Sequence, residues 1–320
     1  AASEDLIRNQ SGIKERFEEG LKRSGRYLPA MEKIFLDYGL PPQLTRVPMI
    51  ESSFDYTAYS SVGAAGIWQF MRATGKNYMR VDNVIDERRD PIVATRAAAK
   101  YLKHAYDVLG AWPLAITSYN HGINGILKAS KSVGTRDINT IIQEYDGDTF
   151  GFASKNFYPE FMAALEIDQN IEKFFPGLRK YDFVHFEEVT LPKSIGFKEL
   201  VKYSQTSSDV LEDMNRQLMK PIISGNVKIP SGVLLKIPTG KANLLLAKLG
   251  KERPIKSTPL TLAGGEKIIT KATSHRHYVV QSGDTSAKIA KKLGISVKTL
   301  LKYNPQLKKR IKAGEELDLQ

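Results

Sequence analysis

One carboxyl stands out by its neighbours. Glu51 closes a stretch in which Leu44, Val47 and Ile50 recur at helical spacing, and Pro41 and Pro42 suit a first turn because their missing N–H has no helical partner there. Glu51 is therefore expected near a helix end. Ser52, Ser53 and Asp55 follow and compete with the backbone for hydrogen bonds. Next come Gly63, Ala64, Ala65 and Gly66, which leave room for another chain to approach, and then Trp68, Gln69, Phe70 and Met71, which mix apolar and polar surface. A carboxyl over a bare floor, with Trp68 or Phe70 as apolar wall, is the setting that raises a carboxyl pKa and still admits a polar ligand. The chemistry implied is proton donation by a general acid. No second carboxyl has a comparable setting in the first half of the chain. Asp55 lies in the loop exit, and Asp86 and Asp90 read as turn and cap residues.

The elements that must hold Glu51 are helices. Residues 3–23 and 27–38 read as amphipathic helices, the second ending at Gly39. Residues 54–79 read as short turns and loops. Asp90 and Pro91 give an N-cap and first turn to a long alanine-rich helix over 92–109, which Gly110 ends. Trp112 to Gly122 reads as a short apolar helix with a polar exit, and further helices are expected over 125–130, 137–145 and from Ser154 to about Phe175. No strand pattern precedes Tyr181, so residues 1–178 are expected to form one all-α domain.

Past Pro176 and Gly177 the texture changes, and Val184 to Leu191 is β-prone. Laying Leu200–Leu218 over Ile289–Leu307 without gaps pairs Leu211 with Leu300, Asn215 with Asn304 and Leu218 with Leu307, an internal repeat. The second copy is the clearer. It offers a strand over 278–280, Gly283, Asp284 and Thr285 as turn and helix start, two short helices, Asn304-Pro305 and a closing strand near 316–319. Small α+β (βααβ) modules are expected over 179–249 and 275–320. Residues 250–274, rich in Lys, Thr, Pro and Gly, read as a linker.

Composition narrows the partners. The 320 residues carry 47 Lys and Arg against 35 Asp and Glu, a formal charge of +12 that favours an anionic partner: nucleic acid, anionic lipid or an acidic polymer. Residues 271–320 alone hold nine Lys and two Arg against two Asp and two Glu. No nucleic-acid-binding motif accompanies the charge, so no nucleic acid is expected. Cysteine is absent, which excludes disulfides, thiolate metal sites and cysteine nucleophiles. The five histidines lack metal-ligand spacing, and neither metal nor cofactor is expected. No apolar run approaches the roughly 18 residues of a membrane span, so a soluble chain is expected.

Glu51-Ser52-Ser53-Phe54, followed by Gly63-Ala64-Ala65-Gly66-Ile67-Trp68-Gln69-Phe70-Met71, resembles the first two motifs of the lysozyme-like lytic transglycosylases, family 23 glycoside hydrolases related to goose-type lysozyme. Ala97–Leu102, Ala115–Gly122 and Lys155–Pro159 resemble later motifs. Asp86, Arg88, Arg89, Asp90, Pro91 and Trp68 are most similar to the subgroup of membrane-bound lytic murein transglycosylase D. Arg72, Ser118 and His121 depart from the common pattern, and His121 could alter how the cleft binds sugar. The resemblance implies non-hydrolytic cleavage of the β-1,4 bond between N-acetylmuramic acid and N-acetylglucosamine. Glu51 would act as acid and then as base toward the substrate's own C6 hydroxyl, leaving a 1,6-anhydro end. It also implies that Ser52 and Gln69 line the site, that Tyr119 hydrogen-bonds near Glu51, that Asn120 holds an acetamido group, and that Tyr158 borders the same subsite. The second repeat resembles a lysin motif (LysM), which implies glycan binding around Gly283, Asp284 and Thr285; the first copy lacks that signature. The resulting expectations are peptidoglycan glycan strands as partner, a monomer, and a bacterial periplasmic or envelope location, with export signal or membrane attachment on a removed N-terminal segment. A hydrolytic goose-type muramidase and a non-catalytic wall-binding scaffold are the alternatives.

Overall fold

The computed structural model describes residues 13–250 and, beyond them, 278–280, 284–293, 297, 300, 301, 304, 307, 316 and 317. The chain divides into two compact units, Ala1–Glu266 and Lys267–Gln320.

The first unit opens with α1 (Ile13–Ser24) and α2 (Leu28–Asp37), where Pro29 occupies the first turn. A 3-10 turn over Pro42–Arg46 runs directly into α3 (Val47–Ser52), which carries Glu51 in its last turn. The predicted irregular stretch contains α4 (Arg72–Lys76) and only single antiparallel bridges, Tyr59 with Ala65 and Ala65 with Phe70. α5 (Pro91–Leu109) starts where the sequence indicates. Asp90 accepts from the N–H groups of Ile92 and Val93, and Gly110 closes the helix with φ +72°. α6 (Trp112–His121) follows.

α7 (Ile123–Val133) is longer than the expected 125–130, because Gly122 and Gly134 supply its ends with positive φ. α8 (Ile138–Glu144) is capped by Asp137. The helix expected from Ser154 to Phe175 is two: α9 (Phe152–Gln169) breaks at Asn170, and α10 (Ile171–Phe174) restarts after it. The main helical core gathers Phe35, Phe54, Trp68, Ala97, Leu102, Phe157 and Phe161 from α2, α5, α9 and the loops between. The alanines of α5 let neighbouring helices lie close.

Residues after 185 build a separate small core. β1 (Phe186–Thr190) pairs antiparallel with β2 (Leu234–Pro238), Val189 opposite Leu235, and between them lie α11 (Phe197–Ser204), α12 (Ser208–Met214) and α13 (Lys220–Ile223); α14 (Ala242–Lys248) follows. Leu200, Leu211, Leu218, Leu235 and Leu245 fill this core, and Ile85 reaches into it from the helical part. The two parts are joined by polar bonds as well. Lys236 pairs with Asp90 in a fully buried contact, Arg96 grips Glu188 with two bonds of 2.8 and 2.6 Å, and the Asp86 N–H donates to Gln217 O at 2.9 Å.

In the second unit β3 (Tyr278–Val279) pairs antiparallel with β4 (Glu316–Leu317), and α15 (Ser286–Leu293) lies between them in sequence. The repeat is visible bond by bond. Asn215 is buried, donates its N–H and its Nδ2 to Leu211 O at 3.0 and 2.9 Å, and accepts from the Leu218 N–H at 2.9 Å. Asn304 is equally buried, donates the same two groups to Leu300 O at 3.0 and 3.3 Å, and accepts from the Leu307 N–H at 3.1 Å. An unpaired buried amide is costly, and the bonds back to the carbonyl four residues earlier are shared by both copies; in the first copy the Asn215 amide also bridges to Lys236, donating to its O at 2.8 Å and accepting from its N–H at 2.7 Å.

Candidate active site

Three non-glycine residues with left-handed backbone flank Glu51 and its loop: Ser53 (φ 50°), Phe54 (φ 50°) and Gln69 (φ 47°). Strain of this kind persists only where the surroundings over-determine it. They do so here. Ser52 is buried and donates Oγ–H to Ile67 O at 2.8 Å, tying the end of α3 to the glycine-rich loop. Gly66 (φ +74°) runs so close to the segment after Asp86 that a Cβ would sit 1.9 Å from Arg88 O. Gly63 also has positive φ, +88°, but a Cβ there would meet nothing, so only Gly66 is needed for close approach.

Arg88 organises the loop from beneath. Its guanidinium is fully buried, binds Asp86 through Nε (2.9 Å) and Nη2 (2.7 Å), and donates Nη1–H to Gly63 O (2.7 Å) and Phe70 O (2.9 Å). Asp86 and Asp90 are thus an anchor and a cap, as their sequence positions indicate.

Glu51 is half-buried, and no hydrogen bond or ion pair holds its carboxyl among the described residues. Burial, reinforced by the charge of Glu160, pushes its pKa up from 4.5 to about 8. Glu160 lies on α9, which packs against α3, and burial raises its own pKa as well. This second carboxyl was not legible in the sequence: it is an exposed glutamate on a helix, with no spacing that ties it to residue 51.

Beside Glu51 opens a cleft of about 290 Å³, lined by Gln69, Phe70, Met71, Thr74, Tyr101, Tyr119, Asn120, His121 and Gly122. Of the residues expected at the site, Gln69, Tyr119 and Asn120 line it; Glu51, Ser52 and Tyr158 do not. Gln69 folds its Nε2 back onto Gly66 O at 2.7 Å, and its Oε1 has no protein partner among the described residues. Tyr119 links cleft and carboxyl. Its hydroxyl donates to Trp68 O at 2.8 Å rather than to Glu51, and burial together with the nearby Glu51 charge holds its pKa well above the ordinary value. Phe70 meets Tyr119 edge-on at 5.8 Å, and Tyr101 does so at 5.3 Å while donating to Ser118 O. These rings make an aromatic floor; Tyr101 is a member that the sequence did not single out as a site residue, whereas His121, which also lines the cleft, stood out there as able to alter how the cleft binds sugar.

The expected apolar wall divides. Trp68 is fully buried, stacks on Phe35 at 5.8 Å and donates Nε1–H to Thr95, so it supports from behind, whereas Phe70 faces the cleft. Tyr158 stacks on Phe161 at 6.5 Å, packed between two apolar clusters. In the second unit Asp284 and Thr285 precede α15, and Thr285 Oγ1 accepts from the Lys288 N–H at 3.3 Å; Gly283 lies outside the described residues. A larger open depression of about 760 Å³ runs along α1 and residues 174–182, but it contains none of the expected site residues, and its Glu18 and Lys22 are paired at 2.7 Å.

Residues 31–142, which contain Glu51 and every lining residue of the cleft, match the transglycosylase SLT domain, and residues 278–319 match the LysM domain. The chain carries a lytic transglycosylase SLT domain and a LysM domain. This SLT–LysM chain is 27% identical over 284 residues to the membrane-bound lytic murein transglycosylase D of Escherichia coli K12, covering 88% of the chain and 60% of that protein. The same figures hold for its counterpart in the Escherichia coli O6:H1 strain. The SLT–LysM chain therefore spans about 60% of the length of these curated relatives. Among solved structures, an inactive mutant of lytic transglycosylase Slt from Pseudomonas aeruginosa aligns with a TM-score of 0.37 at 20% identity, over 48% of this chain and 26% of that one.

Proposed function

We propose that the protein is a peptidoglycan lytic transglycosylase in which Glu51 serves first as acid and then as base. The observation that carries the reading is the Glu51 carboxyl, unpaired by any described residue and held at a pKa of about 8 beside a cleft of aromatic rings. At neutral pH it is mostly protonated and can give its proton to the bridging glycosidic oxygen. As the C1–O bond breaks, positive charge develops at C1, where the substrate's acetamido oxygen can meet it. The ionised Glu51 then takes the proton of the C6 hydroxyl, whose oxygen closes on C1. One proton leaves and one returns, and no water is consumed. Gln69 Oε1 and the Asn120 amide offer polar atoms to the sugar, and Phe70, Tyr101 and Tyr119 offer faces. Ser52 supports this site through the loop, and Tyr158 through packing.

Glu160 supports a second reading. A carboxyl that acts electrostatically on the acid could instead activate a water, which would make the enzyme a hydrolytic muramidase. The first reading is favoured because Glu160 is exposed on α9 and is not among the residues that line the cleft.

The chain divides on this reading into a catalytic domain (1–178), a degenerate LysM-like module (179–249), a linker (250–274) and a βααβ LysM module (275–320) that holds glycan around Gly283, Asp284 and Thr285. The first copy acts as a brace. Its Lys236 and Glu188 are committed to Asp90 and Arg96 of the helical part, and the backbone of Ile195 pairs both ways with Ile229 across the mouth of the module. The substrate implies a bacterial periplasmic or envelope location, with the basic second module concentrating the catalytic domain on an anionic wall. The test is digestion of purified sacculi. The wild type should release anhydro-muropeptides, and Glu51→Gln should release none while still cosedimenting with the sacculi; substantial turnover by Glu51→Gln refutes the assignment.

A further inference from the structure

His121 ends α6 at the lip of the cleft, and its ring is fixed on three sides. Nδ1 lies 3.1 Å from Ser154 Oγ, the ring meets Phe150 edge-on at 5.0 Å, and its far edge lies over Gly125, where a Cβ would come within 2.5 Å of Cδ2 and 2.8 Å of Nε2. The missing side chain of Gly125 leaves the space that the imidazole fills. Ser154, buried in the first turn of α9, donates its Oγ–H to Asn120 Oδ1 at 2.9 Å. A hydroxyl has one proton, so toward His121 Ser154 presents a lone pair, and Nδ1 must carry the hydrogen. Burial lowers the His121 pKa, so near neutral pH the ring is neutral and its tautomer is set by this bond. With Oδ1 engaged by Ser154, the Asn120 group that has no protein partner among the described residues is Nδ2, and its hydrogens are the donors Asn120 offers the cleft.

We propose that His121 is a positioning residue which, through Ser154, fixes the Asn120 amide as a hydrogen-bond donor and so selects glycans that present an acetamido carbonyl oxygen over de-N-acetylated ones. This rests on the glycan-cleaving reading above and adds its substrate preference. An acetamido oxygen accepts from Nδ2, whereas the ammonium of a de-N-acetylated sugar has only hydrogens to present and meets donors with donors. The opposite polarity, Asn120 Nδ2 donating to Ser154 and Ser154 to a bare Nδ1, would turn the carbonyl outward and invert the preference.

Two measurements test this. Nitrogen-15 NMR of the imidazoles, with the His121 signals identified by their loss in His121→Ala, should show the Nδ1–H tautomer in the wild type; the Nε2–H tautomer overturns the proposal. In turnover of soluble glycan strands, Ser154→Ala should raise KM for N-acetylated strands roughly tenfold, the worth of one well-placed hydrogen bond, with kcat little changed. It should lower the preference for acetylated over de-N-acetylated strands by a similar factor, and Ser154→Thr, which keeps the hydroxyl, should restore most of both. In an Asn120→Ala background the same Ser154→Ala change should add nothing, because Ser154 acts through Asn120; a full, additive loss there overturns the relay. Wild-type protein that cleaves no strand at all defeats the glycan reading itself, a failure distinct from a wrong tautomer or an additive cycle.

Discussion

Replacing Glu51 with glutamine should make the protein more stable at alkaline pH, and the amount follows from the carboxyl's surroundings. The folded-state pKa of about 8 stands above the ordinary 4.5, so between those values the folded protein holds a proton that the unfolded chain has lost. Below about pH 4.5 both states are protonated and Glu51 adds no pH dependence. As pH rises toward 8 the unfolded state is favoured progressively, at about 1.4 kcal/mol per pH unit, to a ceiling of about 5 kcal/mol. Because the side chain is only half-buried, the expected gap at about pH 8.5 is roughly 2–5 kcal/mol, or about 5–15 °C in Tm. Glutamine has nearly the same shape and no proton to lose. Thermal or denaturant unfolding of wild type and Glu51→Gln from about pH 4.5 to 9 should give curves that coincide at the acid end and diverge above it, the variant becoming the more stable. Parallel curves, or a wild type that gains on the variant as pH rises, would refute the claim that the fold keeps this carboxyl protonated.

Glu160→Gln removes the charge that lifts Glu51, so the alkaline limb of kcat should move to lower pH while the rate below that limb stays within about twofold; a loss of about a hundredfold or more at every pH would make Glu160 a base and favour hydrolysis. Arg88→Met leaves the buried Asp86 carboxylate unpaired and frees the Gly63 and Phe70 carbonyls, and should cost about 3–5 kcal/mol in denaturant unfolding; a change under about 1 kcal/mol would show that the loop is held by something else.

The sequence announced those parts of the fold whose causes are local. Asp90 and Pro91 mark the start of α5 because a cap and a first-turn proline act within a few residues, and Gly110 marks its end for the same reason. The repeat was legible because Asn215 and Asn304 each bond back to the carbonyl four residues earlier, a local pattern that recurs at the same spacing in both copies. Glu51 could be singled out from its neighbours, but the features that tune it could not. Glu160 is 109 residues away in sequence and acts on Glu51 only because α9 packs on α3. The link between Asn120 and Ser154 likewise depends on how α6 meets α9, so His121 read as a departure from a motif that could alter sugar binding, without the partners through which it would do so. Trp68 looked like a cleft wall by composition; its stacking on Phe35 and its bond to Thr95 turn it into the core instead.

The central claim is that one carboxyl suffices because the sugar's own hydroxyl, not water, closes the reaction. Mass spectrometry of the fragments released from sacculi in water labelled with heavy oxygen tests this directly. The account predicts muramic ends that carry no label and lack the elements of water. Reducing ends that have taken up the heavy isotope would contradict it and point to Glu160 and a bound water.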